Sequence, residues 1–418
     1  MSNYGEIKNR EDSKTEYDIK HLKKWMYYDN LLLVPIFYLF YDYLLRSFFI
    51  DSVAVQLWDE MMLVFFIGIL FKEILIENKY WWRVPIGAFF LLGIIGIAGS
   101  GYYGRSTIDG YRLIYQPILW GAYLFVIFQR PAVFEKVKTL MIVIGGFLSI
   151  HGLLQIMFKV PMLGNWVDTT DVIQHRAFSI LNSPNSLGSF MVMHVGFLLG
   201  LIFIEKNKRK QIILTMMAFI SITTLYLTYS RGAILAIVAA IALILMIFNK
   251  RLLLYFAFLG TGLLLLVNQG AYRFYNLFTP DTVSNMMTDG RLAKWSEGMQ
   301  EFILTPIFGK GYGQFGGSIA IKYGISNFYA DNFYLKSLVE NGIFGMIIFM
   351  LFMGYFLYRL LKNRKNYFLV GISIAVLGFL LHNFVDNLYG IPTLTFYFYV
   401  YLAMGVSQIN DNSGDVIL

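Results

Sequence analysis

The chain has 418 residues, of which 57% are hydrophobic and only 14% charged, with a formal net charge of +8 and no cysteine. Soluble domains carry roughly a quarter charged residues, so the composition excludes one, and the absent cysteines exclude disulfides and thiolate chemistry. The apolar runs approach the ~20 residues that cross a bilayer and are too continuous for barrel strands, which makes the fold class an all-α polytopic membrane protein.

Residues 1–30 are charged and polar, without the apolar core and cleavage site of a signal peptide. They are expected to form a cytoplasmic tail. A transmembrane helical domain then spans 31–407, with twelve predicted helices. The first nine are 31–50, 61–76, 84–98, 113–128, 137–158, 187–204, 212–229, 233–248 and 252–267. The first two have Asp42, Arg46, Asp59 and Glu60 in or beside them. The chain then turns aqueous over 268–340, a stretch holding Arg273, Arg291, Lys294, Asp331 and several glycines. Loops beyond ~15 residues are uncommon and often functional, so this one reads as a working part at a membrane surface. Helices at 343–358, 368–381 and 388–406 follow, and 408–418 form a second cytoplasmic tail.

With the N-terminus placed in the cytoplasm, 22 of the 34 lysines and arginines fall on inner segments, among them Lys206, Lys208, Arg209 and Lys210. Such an excess is the expected cytoplasmic bias. Both termini then face the cytoplasm and the long loop faces outward. The bias accounts for most of the net charge, so no nucleic-acid partner is needed.

Three arginines share the outer face. Arg176 precedes the sixth predicted helix, Arg231 sits in the tight Y-S-R-G-A turn, and Arg291 lies in the long loop. Each alone is explained as an anchor to lipid phosphates. Together they suit a diphosphate, because guanidinium is planar, permanently charged and grips phosphate oxygens with two parallel bonds. In the Arg231 turn, Ser230 is a candidate N-cap and Gly232 permits close backbone approach. The following helix would direct its N-terminal N–H groups at the same anion.

Leu292, Trp295, Met299 and Phe302 recur at helical spacing, so an amphipathic helix within 288–305 is expected to lie on the membrane. Pro306 ends it before G-K-G-Y-G, which reads equally as a phosphate loop or a structural turn. Asp331 and Asn332 precede an apolar run. They read as helix N-caps, or Asp331 as a carboxylate taking a proton from a sugar hydroxyl. His175, beside Arg176, is a further candidate base or donor. His151 and His194 lie within helices and read as packing residues, and His382, Asn383, Asp386 and Asn387 as an interface feature. The outer segments lack H-x-x-x-H and D-x-D spacing, which disfavours metal-dependent transfer.

The ordered motifs R-A-F-S-I-L-N-S-P-N, Y-S-R-G-A, G-R-L-A-K-W with P-I-F-G-K-G-Y-G, and D-N-F-Y-L-K-S-L-V-E-N-G-I-F-G are similar to the bacterial O-antigen polymerase and ligase superfamily over roughly 137–407. That resemblance implies glycosyl transfer on the outer face of the cytoplasmic membrane. The donor would be an undecaprenyl-diphosphate-linked oligosaccharide, with no cofactor, nucleotide sugar or metal. Arg231, Arg291 and Asp331 become candidate catalytic residues. Arg176, Asn185, Asn332, Lys294 and His175 become candidate substrate-binding residues. Ligases of the family usually place a histidine where Asp331 stands, so the resemblance points to the polymerase branch, with a second lipid-linked repeat unit as acceptor. Membrane lipids, a chain-length regulator and a flippase are the expected partners. An O-antigen ligase, a lipid-linked oligosaccharide flippase or other transporter, a membrane scaffold, and a peptidoglycan polymerase are the competing readings.

Overall fold

The structure, a computed structural model, describes residues 29–49, 53–71, 73–74, 80–161, 175–248, 251–252, 290–363 and 365–409. Among these residues every regular element is helical. A 3-10 turn at Val34–Phe37 leads into α1 (Tyr38–Phe48), α2 (Val53–Ile69), α3 (Arg83–Ser100), α4 (Arg105–Ile127) and α5 (Pro131–Met157). Then come α6 (Pro184–Ile204), α7 (Lys208–Leu227) and α8 (Arg231–Phe248). The loop region contributes α9 (Arg291–Leu304) and the short α10 (Ser318–Lys322), and the chain closes with α11 (Phe333–Lys362), α12 (Tyr367–His382) and α13 (Pro392–Val406). Seven helices among the described residues are long and apolar enough to cross a membrane, and α12 and α13 are shorter apolar helices. The protein is an all-α polytopic membrane protein. Every predicted segment falls on a helix except 252–267, of which residues 253–267 lie outside the described residues, as do most of the two expected tails.

Local chemistry sets the helix starts. Proline opens α5, α6 and α13, where its fixed φ suits the helix and its missing N–H has no intrahelical role. Ser183, Asn207 and Asn366 cap α6, α7 and α12 by accepting hydrogen bonds from the first-turn N–H groups of Ser186, Arg209 and Phe368.

At the centre, α6 is buried along most of its length and crosses α12 at small residues. A Cβ on Gly371 would lie 2.4 Å from the Cα of Gly200, and one on Gly196 would lie 2.6 Å from the Ala375 nitrogen. Bare backbones at the crossing allow close van der Waals packing where lipid gives no hydrophobic drive between helices. On its other side the core is closed by α13, buried from Thr393 to Val406. The charges near the first two predicted segments are paired within the bundle, as a low-dielectric setting requires. Arg46 lies 2.7 Å from Asp42, Arg112 lies 2.9 Å from Glu60, and Asp59 accepts bonds from Tyr38 and Gln116 at 3.2 and 3.0 Å.

One element differs from expectation. The aqueous stretch set at 268–340 ends earlier, where the caps read at Asp331 and Asn332 place a helix start: α11 begins at Phe333 and is broken at Gly342 (φ +64°, ψ −169°). The Asn341-Gly342 pair marks the break, not the helix start. The loop supplies the backbone partners that the break removes. The N–H groups of Lys310 and Gly311 donate to the Val339 and Glu340 carbonyls at 2.9 and 2.8 Å. Those of Ile343 and Phe344 donate to the Pro306 and Ile307 carbonyls at 2.8 and 3.1 Å. Non-helical backbone at membrane depth is tolerated only when protein satisfies it in this way. A Cβ at position 342 would sit 2.2 Å from the Ile307 oxygen, so glycine is required there by space as well as by φ.

Candidate active site

Three helices, α6, α8 and α11, begin around the 383–387 segment that joins α12 to α13. The Phe333 N–H donates to the Asn383 and Asp386 carbonyls, both at 3.0 Å. A Cβ on Gly232, the second residue of α8, would meet Val385 at 2.6 Å and His382 at 3.0 Å. From α6, the Asn185 amide donates to Asp386 at 2.8 Å. The positive ends of three helix dipoles therefore meet around one segment, a favourable place for negative charge.

Arg176 enters this cluster through its guanidinium. Nε donates to the Thr228 carbonyl at 2.9 Å and Nη2 to the Asn185 side-chain oxygen at 3.5 Å. Asn185 is thus held at both ends of its amide, between Arg176 and Asp386. Burial raises the Asp386 pKa above the usual carboxylate value, opposed by the Asn387 N–H, the Arg291 charge and the Asn185 amide, while Asp331 adds to the rise. Arg231 is the first residue of α8, and Ser230 caps that helix by accepting from the Ala233 N–H at 3.4 Å, as its position in the turn predicts.

From the loop side, Asp331 lies 3.4 Å from Lys294 and 3.7 Å from Arg291, both on the first turn of α9. All three side chains keep some solvent exposure. Packing fixes α9 in this place. Trp295 and Phe302 rest against a small core of Phe315, Ala330, Leu335 and Val339, and the Trp295 indole donates to the Ala330 carbonyl at 3.2 Å. Lys310 bonds Glu301 at 2.7 Å, and the buried Glu340 pairs with Lys336 while accepting from the Phe315 N–H at 3.1 Å. Loop, broken helix and amphipathic helix form one packed unit.

Two open alternatives are decided by these contacts. The cap of α11 is Asn332, whose side-chain oxygen accepts from the Leu335 N–H at 3.0 Å. Asp331 precedes the cap with φ +49° and aims its carboxylate at cations instead. The G-K-G-Y-G run is a structural turn, since the Lys310 and Gly311 N–H groups that a phosphate would use are bonded to α11. Its tight fit also needs glycine, because a Cβ on Gly110 of α4 would lie 2.4 Å from the Gly313 nitrogen.

The expected site residues Arg176, Asn185, Arg291, Lys294 and Asp331 therefore fall in one neighbourhood, with Arg231 on the adjoining turn. His175 is partly buried beside Arg176, and its Nδ1 is enclosed without a hydrogen-bond partner. His151 and His194 are packing residues, bonded to Ser179 and Tyr401 at 3.0 and 3.1 Å. Asp386 also belongs to this neighbourhood. Its segment reads as an interface feature, yet it forms the junction between Asn185 and α11. A carboxylate among amides immediately before an apolar helix was the available signal. The arrangement offers guanidinium groups and helix N-termini for an anion, and two carboxylates able to hold a proton.

Residues 216–350 match the O-antigen ligase family model, a segment that includes Arg231, Arg291 and Asp331 but not Arg176, Asn185 or Asp386. The chain is also similar to the ComP-specific O-oligosaccharyltransferase of Acinetobacter baylyi, at 23% identity over 333 residues. The similarity covers 75% of this chain and 58% of that relative, so the chain spans little more than half of the relative's length.

Proposed function

We propose that the chain, which is similar to the O-antigen ligase family over residues 216–350, is a membrane glycosyltransferase taking an oligosaccharide from a polyprenyl diphosphate. The observation that carries this reading is the meeting of Arg176, Arg291 and Lys294 with Asp331 and Asp386 where three helices begin. In this mechanism Arg176, Arg231 and Arg291 hold the diphosphate and stabilise the charge that develops as it leaves. An acceptor hydroxyl oxygen bonds the anomeric carbon, and the bond from that carbon to the diphosphate oxygen breaks. The hydroxyl proton passes to the Asp331 carboxylate, and polyprenyl diphosphate departs. Asp386 holds Asn185, which in turn orients Arg176. The loop packed over α11 limits attack by water.

The acceptor in this reading is a second lipid-linked repeat unit, which makes the protein a polymerase of surface polysaccharide. The support is Asp331, standing where ligases of the family usually carry histidine. The family match suits equally the ligase reading, in which the glycan passes to a different acceptor. Purified protein supplied with lipid-linked repeat units alone separates the two. Lipid-linked dimers and longer products are the polymerase outcome, and products that form only when a different acceptor is added are the ligase outcome.

The chemistry is placed on the outer face of a bacterial plasma membrane, with both termini cytoplasmic, on the support of the lysine and arginine distribution. Single cysteines test this cleanly in a chain that has none. Lys322 is well exposed, unlike the buried Gln314 nearby. An impermeant thiol reagent on intact cells should label Lys322→Cys and spare Lys208→Cys. Labelling of Lys208→Cys without Lys322→Cys would invert the topology.

A further inference from the structure

Helix α9 carries three stripes. Trp295, Gly298 and Phe302, spaced i, i+3, i+7, face the small core under the loop. At 100° per residue, Lys294, Glu297 and Glu301 run down one flank, reaching Asp331 at one end and Lys310 at the other. Leu292, Met299 and Ile303 run down the opposite flank, exposed by 40, 46 and 67%. A loop helix surrounded by water has no use for an apolar flank beside one already packed.

This flank does not end in solvent. Beyond the helix end it leads to Ile307, exposed by 64%. The Ile307 carbonyl accepts from Phe344, and the Phe308 ring lies against the Phe344 ring at 5.1 Å, tilted by 58°. There it joins the apolar exterior of α11 beyond the break, where Ile343, Ile347 and Leu351 are 48, 52 and 68% exposed. That exterior belongs to a helix long and apolar enough to cross a membrane, where exposed apolar side chains suit lipid. The uncovered flank is thus a lateral extension of the lipid-facing belt.

We propose that the Leu292, Met299 and Ile303 flank of α9 is immersed in the phospholipid acyl chains of the adjacent leaflet. The packed face then rests on the protein and the Lys294, Glu297 and Glu301 flank rises to water. This is how an amphipathic helix lies in an interface. Immersion sets the depth of Arg291 and Lys294, because both belong to the first turn of the same helix. The site they share with Asp331 is thereby held at the level of lipid headgroups. The inference goes beyond the glycosyl-transfer reading and does not depend on it.

The test uses the full chain with one introduced cysteine at a time, labelled with a small fluorophore and placed in phosphatidylcholine nanodiscs whose acyl chains are brominated near the headgroup. Met299→Cys and Ile303→Cys should lose emission to the same extent as Ile347→Cys on the lipid face of α11. Glu297→Cys on the opposite flank should keep it. These positions are on the surface, so the substitutions leave the packed core intact, and monodisperse elution confirms it. The readout is independent of activity. Emission from Met299→Cys and Ile303→Cys no lower than that from Glu297→Cys would overturn the proposal, whether or not the protein transfers glycans.

Discussion

Asp331→Asn should abolish most transfer, by about 10²–10⁴-fold in rate, while leaving stability nearly untouched. The expectation of unchanged stability follows from three features. Asn332 caps α11, so the variant removes no cap. Position 331 has φ +49°, a conformation that asparagine tolerates as readily as aspartate. The contacts to Lys294 and Arg291 are partly exposed, a class of ion pair worth about 0–1 kcal/mol. What the substitution does remove is the carboxylate proposed to take the proton. Turnover of lipid-linked repeat units by purified protein measures the rate, and thermal melting in detergent measures stability. Normal turnover by the Asn variant would take Asp331 out of the mechanism and turn attention to Asp386 and His175.

The second large effect is expected at Arg231. Lysine keeps the positive charge but loses the planar fork that can bond two phosphate oxygens. A charge-assisted hydrogen bond is worth about 1.5–3 kcal/mol, so Arg231→Lys should lower turnover about 10- to 100-fold. Ser230 still caps α8 in the variant, and the helix start is preserved. In cells the loss should appear as accumulation of single lipid-linked repeats at unchanged protein level. Wild-type product length from Arg231→Lys would leave the residue as an interfacial anchor and remove it from the diphosphate clamp.

The helices were legible because the apolar runs approach the length that crosses a bilayer, although several begin earlier or later than expected, at prolines such as Pro131, Pro184 and Pro392. Ser230 as the cap of α8 and the helix at Arg291 were readable for the same local reasons. Asp331 and Asn332 show where local reading stops. Both are good caps by type, and the choice depends on the left-handed backbone at 331 and the cations of α9, forty positions back in the chain at Arg291. The glycines of G-K-G-Y-G could not be assigned from sequence, since their role is to let the loop backbone bond α11 and press against Gly110 of α4. The helix start after Asn332 was readable from its caps, but the break at Gly342 was not, and residues 333–340 were counted with the aqueous stretch. Lys336 and Glu340 gave that appearance, and they are polar because they pair with each other in the buried interior. Asp386 was read as an interface feature because its partner Asn185 lies 201 residues away in sequence.

In the proposed mechanism this cluster breaks a sugar–diphosphate bond and moves the glycan to a hydroxyl. Its most direct test is the yield of free polyprenyl diphosphate when purified protein turns over a lipid-linked oligosaccharide, quantified beside the lengthened glycan by mass spectrometry. One polyprenyl diphosphate should appear for each glycosidic bond formed, and both products should vanish together in Asp331→Asn. Glycan elongation without release of polyprenyl diphosphate, or equal release by the Asn variant, would contradict the account.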